Sequence, residues 1–223
     1  MTYSQRNDGA QNTILAALDI LEKLYPDAIC SLDYGVNPWR LLIMARLSAQ
    51  CTDERVNIVS ETLFVHYPTA EDMAEADITA LEEDVRPCGL YHVKAHDIKS
   101  ISYDVVHKFG GRVPDTMEDL LSMSGVGRKI ANLILGDVYG KGGIVTDTHC
   151  IRICGRLGAY PEDMKNPKRA EDILSAIVPT EKQSDFCHRL VNFGRDVCRA
   201  RAPMCGVCPM SDICAHAKRE AGE

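Results

Sequence analysis

Residues 120–131 read Leu-Leu-Ser-Met-Ser-Gly-Val-Gly-Arg-Lys-Ile-Ala. Leu120 and Leu121 close one helical pattern, and Ile130, Leu133, Ile134 and Val138 open another at helical spacing. Between them Gly125-Val126-Gly127 permits a tight turn and the close approach of another backbone. The amides of that turn lie at the start of the second helix, where they form an anion site. Taken alone, the segment is also what a simple αα-hairpin looks like.

Outward from this hairpin the period stays helical. Ile14, Leu15, Leu18, Leu21 and Tyr25 mark one helix. Asn37-Pro38, a cap followed by proline at the first helical position, starts a helix that carries Trp39, Leu42, Ile43 and Leu47. Val56, Val59 and Leu63 mark a third, and Asp77 caps a short one with Ile78, Leu81 and Val85. Ile98, Ile101, Val105 and Phe109 predict a helix stopped by Gly110-Gly111. Asp115 with Glu118 predicts the cap ahead of Leu120. Asn166-Pro167 starts a helix with Ile173, Leu174 and Ile177, and Phe186, Leu190 and Phe193 predict one ending at Gly194. Only Gly143–Val145 reads as extended, too short to build a sheet, so the expected class is all-α. The Gly140–Gly143 stretch is the best candidate for a crossing between lobes.

A chain of 223 residues, 45% hydrophobic and 26% charged, is that of an ordinary globular protein able to bury a core. No apolar run reaches bilayer length. Met1 to Gln11 is polar and lacks a secretory pattern, so the expected compartment is the cytoplasm. The net charge of −7 argues at first against a nucleic-acid partner. Its distribution matters more. Ten acidic side chains face only Arg55 and Arg86 between Thr52 and Pro87. Basic residues prevail over Gly125–Arg156 and Arg195–Arg219, which permits an anionic partner there without demonstrating one.

Ten cysteines in such a chain point to metal or catalysis before disulfides. Cys30, Cys51, Cys88, Cys150, Cys154 and Cys187 lie scattered among apolar neighbours and read as buried, inert thiols. Cys198, Cys205, Cys208 and Cys214 are grouped at C-x6-C-x2-C-x5-C spacing. Four thiolates on one loop suit tetrahedral zinc or a cubane whose irons each take one cysteine. Only one short C-x2-C hook is present, which tilts the choice toward a [4Fe–4S] cluster. Arg199 and Arg201 lie between the first two ligands, where a metal-held loop could grip phosphates.

Lys129 is expected one turn into the helix after the hairpin, and Asp147 follows in Val145-Thr146-Asp147-Thr148-His149. An amine attacks a sugar carbon only when unprotonated, which requires desolvation or a nearby acceptor. A carboxylate can accept that proton and stabilise developing positive charge. Singly, Lys129 reads as a surface lysine and Asp147 as a helix cap.

LSAQCTD, CGLY followed by Lys94-Ala95, SGVGRKIAN, VTDTH and the cysteine loop occur together and in this order. In this the chain resembles the endonuclease III family of helix–hairpin–helix DNA glycosylases, from about Ile14 to Cys214. The resemblance implies a six-helix lobe holding the hairpin, residues 31–141, and a [4Fe–4S] lobe of residues 1–30 plus 142–223, with DNA across the cleft. It implies a monomer that acts on double-stranded DNA containing a damaged base or abasic site, away from membranes. Activity would be that of a bifunctional glycosylase and AP lyase on oxidised pyrimidines. Lys129 matches the family's Schiff-base lysine and Asp147 its catalytic aspartate. Gln50 matches the residue that fills the gap left by an extruded base, and Leu90 a wedge in the opposite strand; both offset unstacking. Gly125, Gly127, Arg128, His149, Arg199 and Arg201 are the further expected DNA contacts, and Cys198, Cys205, Cys208 and Cys214 the cluster ligands. Two positions depart from the family: Ser124 stands where the hairpin usually has proline, and Leu121 where a glutamate is usual. A mismatch-specific adenine or thymine glycosylase and a non-catalytic iron–sulfur DNA-binding protein are the alternatives. Adenine glycosylases of this kind usually lack a lysine at position 129.

Overall fold

A computed structural model describes residues 3–222; Met1, Thr2 and Glu223, which the expected 1–30 and 142–223 segments include, lie outside the described residues. Twelve α-helices and no strands occur among the described residues. In chain order they are α1 (Tyr3–Leu24), α2 (Pro38–Leu47), α3 (Asp53–His66), α4 (Ala70–Ala74), α5 (Ile78–Val85) and α6 (Tyr91–His107). Then follow α7 (Met117–Leu121), α8 (Arg128–Asp137), α9 (Thr148–Leu157), α10 (Pro167–Ile177), α11 (Gln183–Asp196) and α12 (Ala215–Ala221). The all-α class is therefore found.

The helix starts show their causes. Asn37 Oδ1 accepts the amides of Trp39 at 3.0 Å and Arg40 at 3.2 Å, while Pro38 occupies a position that needs no donor. Asn166 and Asp77 cap α10 and α5 in the same way, accepting from Arg169 at 3.1 Å and Ala80 at 3.0 Å. The cap of α7 is displaced by one residue from the expected Asp115. Thr116, extended at φ −121° and ψ 148°, accepts the Asp119 amide, and its hydroxyl donates to the Asp119 carboxylate at 2.7 Å. Asp115/Glu118 and Thr116/Asp119 have the same spacing, and the threonine pair satisfies both side chains.

Gly194 does not end its helix. It is buried within α11, and a Cβ there would collide with the His149 ring and the Arg152 guanidinium. Close approach of α9, rather than chain termination, is what this glycine provides. By contrast Gly110 and Gly111, both at positive φ, do stop α6, and the Gly111 amide returns to the Val105 carbonyl at 2.8 Å.

Two compact units result: Cys30–Gly140, and Met1–Ile29 together with Lys141–Glu223. Within the first, Leu41, Leu42, Ile43, Leu63, Leu81, Ile98, Ile101, Leu120 and Ile134 form a core. Trp39 joins it with its indole N–H bonded to Ser102 Oγ at 3.0 Å, so the one tryptophan is buried without an orphaned donor. In the second unit Ile14, Leu18, Leu21, Ile153, Leu174, Phe186, Leu190 and Phe193 pack together. Burying each such side chain contributes about 1.5–3 kcal/mol before entropy is counted. No described helix is long and apolar enough to cross a membrane.

Candidate functional site

In the 30–140 unit the turn from Ser122 to Gly127 joins α7 to α8. Leu120, Met123 and Val126 are buried and anchor it, and the Val126 amide bonds to the Met123 carbonyl at 3.3 Å. Gly125 has φ +71°, where other residues are strained. Gly127 is the N-cap of α8 and, as a glycine, has no side chain with which to cap it. The helix thus starts without a cap from its own N-cap residue, as the anion site expected of the segment requires. Arg128 and Lys129 are the first two residues of α8, so Lys129 does not lie a full turn inside the helix as expected. The backbone becomes helical directly after Gly127, which shortens the turn. Lys129 is exposed.

Gln50 and Leu90 have positive φ, +55° and +50°, and both are exposed. Non-glycine residues in this region cost about 1–3 kcal/mol each and persist where their surroundings impose them. At Leu90 those surroundings include Lys94. Its side chain is fully buried and its Nζ donates to the Cys88 carbonyl at 2.7 Å, pinning the segment just before Leu90. Burial holds the Lys94 amine below the usual lysine range; the thiols of Cys88 and Cys51 oppose that shift. The sequence motif contains Lys94, and its burial depends on core residues that the local sequence does not show.

The remaining expected residues lie in the other unit, along α9 and the cysteine loop. Asp147 caps α9, its Oδ1 accepting the Cys150 amide at 2.7 Å. His149, half-buried, has Nδ1 3.3 Å from the Arg152 guanidinium and packs at Gly194. One turn on, Arg152 donates to the Cys198 carbonyl at 2.9 Å. Arg156 donates to the Arg199 carbonyl at 2.7 Å, the Ala200 carbonyl at 3.1 Å and the Cys198 sulfur at 3.4 Å. Helix α9 thus ties Asp147 to the loop that carries Arg199 and Arg201, both exposed. Sequence reasoning assigned Arg152 and Arg156 only a contribution to local charge, because their carbonyl partners stand more than forty residues away.

Cys198, Cys205, Cys208 and Cys214 line one small cavity, together with Arg156, Phe193 and Met210. Cys208 Sγ accepts the Met210 amide at 3.4 Å, and Cys214 Sγ donates to the Arg156 carbonyl at 3.3 Å. Burial, with the neighbouring thiols, pushes Cys205 and Cys208 above the usual thiol range. Among the described residues no three His, Cys, Asp or Glu side chains converge as ligands of a single ion. Of the six scattered cysteines, Cys88, Cys150, Cys154 and Cys187 are buried as expected, whereas Cys30 and Cys51 are only half-buried at the edge of the core. Burial pushes the Cys30 thiol up to about 12, which keeps it inert despite its partial exposure.

The model of the HhH-GPD superfamily base excision DNA repair protein matches residues 43–180. An endonuclease III of Synechocystis sp. is 42% identical over 200 residues, covering 89% of this chain and 90% of the relative. A solved non-covalent endonuclease III–DNA complex superposes with a TM-score of 0.88 at 38% identity, over 96% of this chain and 99% of that one. A trapped endonuclease III–DNA covalent intermediate gives the same TM-score and identity, over 95% and 98%.

Proposed function

The chain belongs to the HhH-GPD superfamily of base excision DNA repair proteins and, within it, to the endonuclease III family, and on that premise we propose a bifunctional DNA glycosylase and AP lyase. Its substrate is duplex DNA carrying an oxidised pyrimidine or an abasic site. The observation that carries this reading is Lys129 in the first turn of α8, directly after the Gly125-Val126-Gly127 turn, in a chain related to an enzyme trapped covalently on DNA. Family membership and the presence of Lys129 favour it over a mismatch glycosylase or a non-catalytic iron–sulfur protein.

Lys129 Nζ attacks C1′ of the extruded nucleotide, the C1′–N bond breaks, and the base leaves with its electron pair. Loss of a proton from the attacking nitrogen and ring opening give an imine, from which loss of a C2′ proton expels the 3′ phosphate. In the free protein the amine is solvated, so the exclusion of water that its attack requires comes with the bound duplex. Asp147 contributes a carboxylate that accepts the proton and favours the cationic sugar. Gln50 and Leu90, held at strained backbone positions, replace stacking lost when the base leaves the helix. The amides of Gly125 and Gly127, with Arg128, and the Arg199 and Arg201 side chains bind phosphates, and His149 lines the Asp147 side.

The four thiols fit a [4Fe–4S] cluster. All four line one cavity, and four cysteine thiols are the donor set that such a cluster takes, one to each iron. Bound there, the cluster would cross-link the loop that presents Arg199 and Arg201. Elemental analysis of the purified protein should give about four irons and four sulfides per chain; one zinc and no sulfide overturns the assignment.

Borohydride trapping tests the enzyme. Wild type should form a covalent adduct with abasic duplex DNA, and Lys129→Ala should form none while its lyase rate falls at least about 10³-fold. A wild-type protein that cleaves without a trappable adduct refutes the amine mechanism.

A further inference from the structure

Three elements of the 30–140 unit meet beneath the hairpin turn. Ser124 Oγ donates to Asp97 Oδ1 at 2.6 Å. Asp97, on α6, receives Arg46 of α2 on its other oxygen, from Nε at 2.7 Å and Nη2 at 2.6 Å. The Arg46 and Asp97 side chains are only 11% and 12% exposed, so the pair is shielded from the screening that makes surface pairs weak. The pair also lies directly against Gly125: a Cβ there would stand 2.5 Å from Arg46 Nε and 2.6 Å from Asp97 Oδ2. The turn is therefore pressed onto a fixed ionic floor and bonded to it by the hydroxyl next to its left-handed glycine.

We propose that Ser124, acting through Asp97 and Arg46, is a positioning residue that holds the amides of Gly125 and Gly127 in the geometry that binds a DNA phosphate. Serine does not restrict its own φ as proline would, and the bond to Asp97 supplies the missing constraint. Arg46 has a second effect. It neutralises a carboxylate that would otherwise lie under a phosphate site and repel its ligand. The chain's serine and its ion pair work as one unit, with α6 carrying Asp97 one turn after the buried Lys94 that pins the Leu90 segment.

This inference rests on the glycosylase–lyase reading, and the test separates the two. Steady-state lyase kinetics on an abasic duplex are measured for wild type, Ser124→Ala and Ser124→Thr, with amide hydrogen exchange over residues 125–128 and thermal melting alongside. Loss of one charge-assisted hydrogen bond should raise KM about tenfold, with kcat changed less than about twofold. Exchange at residues 125–128 should quicken in Ser124→Ala, and Ser124→Thr should restore both KM and exchange. Ser124→Ala with wild-type KM and exchange overturns the brace, and so does a lowered melting temperature alone, which means a merely structural bond. A wild-type protein with no turnover of abasic DNA fails at the enzymatic reading instead, which removes the phosphate for which the brace is proposed.

Discussion

Helices α8 and α9 begin in opposite ways. At α9 the chain supplies its own anion: the Asp147 carboxylate accepts the Cys150 amide and stands at the positive end of the helix dipole. At α8 the equivalent residue is Gly127, which has no side chain to do this. The glycine is not required by the backbone. Its φ of −97° and ψ of 176° are extended values that any residue adopts, and a Cβ built there meets nothing within 4 Å. A capping residue would fit and would stabilise α8, yet none is present. One helix start is closed by the carboxylate of its own N-cap residue, and the other has an N-cap residue that supplies none.

The larger effect that can break this contrast concerns the closed start, where one carboxylate has two duties. Asparagine caps as well as aspartate. Asp147→Asn should therefore leave the melting temperature within a few degrees of wild type, while excision from an oxidised-pyrimidine duplex falls about 10²-fold or more as the charge is lost. Asp147→Ala removes the cap as well and should cost a further ~1 kcal/mol of stability. Excision at the wild-type rate in Asp147→Asn would show that the carboxylate serves only α9.

The two starts also differ in how legible they were. Asn37-Pro38, Asp77 and Asn166-Pro167 were read directly, because a cap acts on amides two or three residues away. Asp147 as a cap belongs to the same class. Thr116 was missed because two overlapping pairs had equal spacing, and only their relative geometry decides between them. Gly194 was misread because a glycine that ends a helix and one that admits a neighbouring helix look identical in sequence. The floor under the hairpin was invisible for a different reason. Asp97 lies 27 residues from Ser124 and 51 from Arg46, and nothing local marks any of the three as partners. The same holds for Arg156 and the carbonyls of the cysteine loop. Local capping is written in the sequence, whereas long-range support of a site appears only once the helices have packed.

The smaller effect, and the more pointed one, comes from making α8 resemble α9. In Gly127→Asp the new carboxylate can reach the Lys129 or Ile130 amide, as Asp147 reaches that of Cys150. The open space around position 127 means that no neighbour has to move. Helix stability should hold or rise by about 0.5–1 kcal/mol, through the cap and its favourable position at the dipole. Affinity for abasic duplex DNA, measured by fluorescence anisotropy, should fall about tenfold, because the amides are occupied and a negative charge faces the phosphate. Gly127→Ala separates the two causes, since it removes the glycine without filling the anion site and should weaken binding less than the aspartate does. A more stable protein that binds DNA more weakly is an outcome that packing or folding defects do not produce. Equal affinity in Gly127→Asp and wild type would mean that the start of α8 has no anion to receive, and the contrast with α9 would then be one of capping alone.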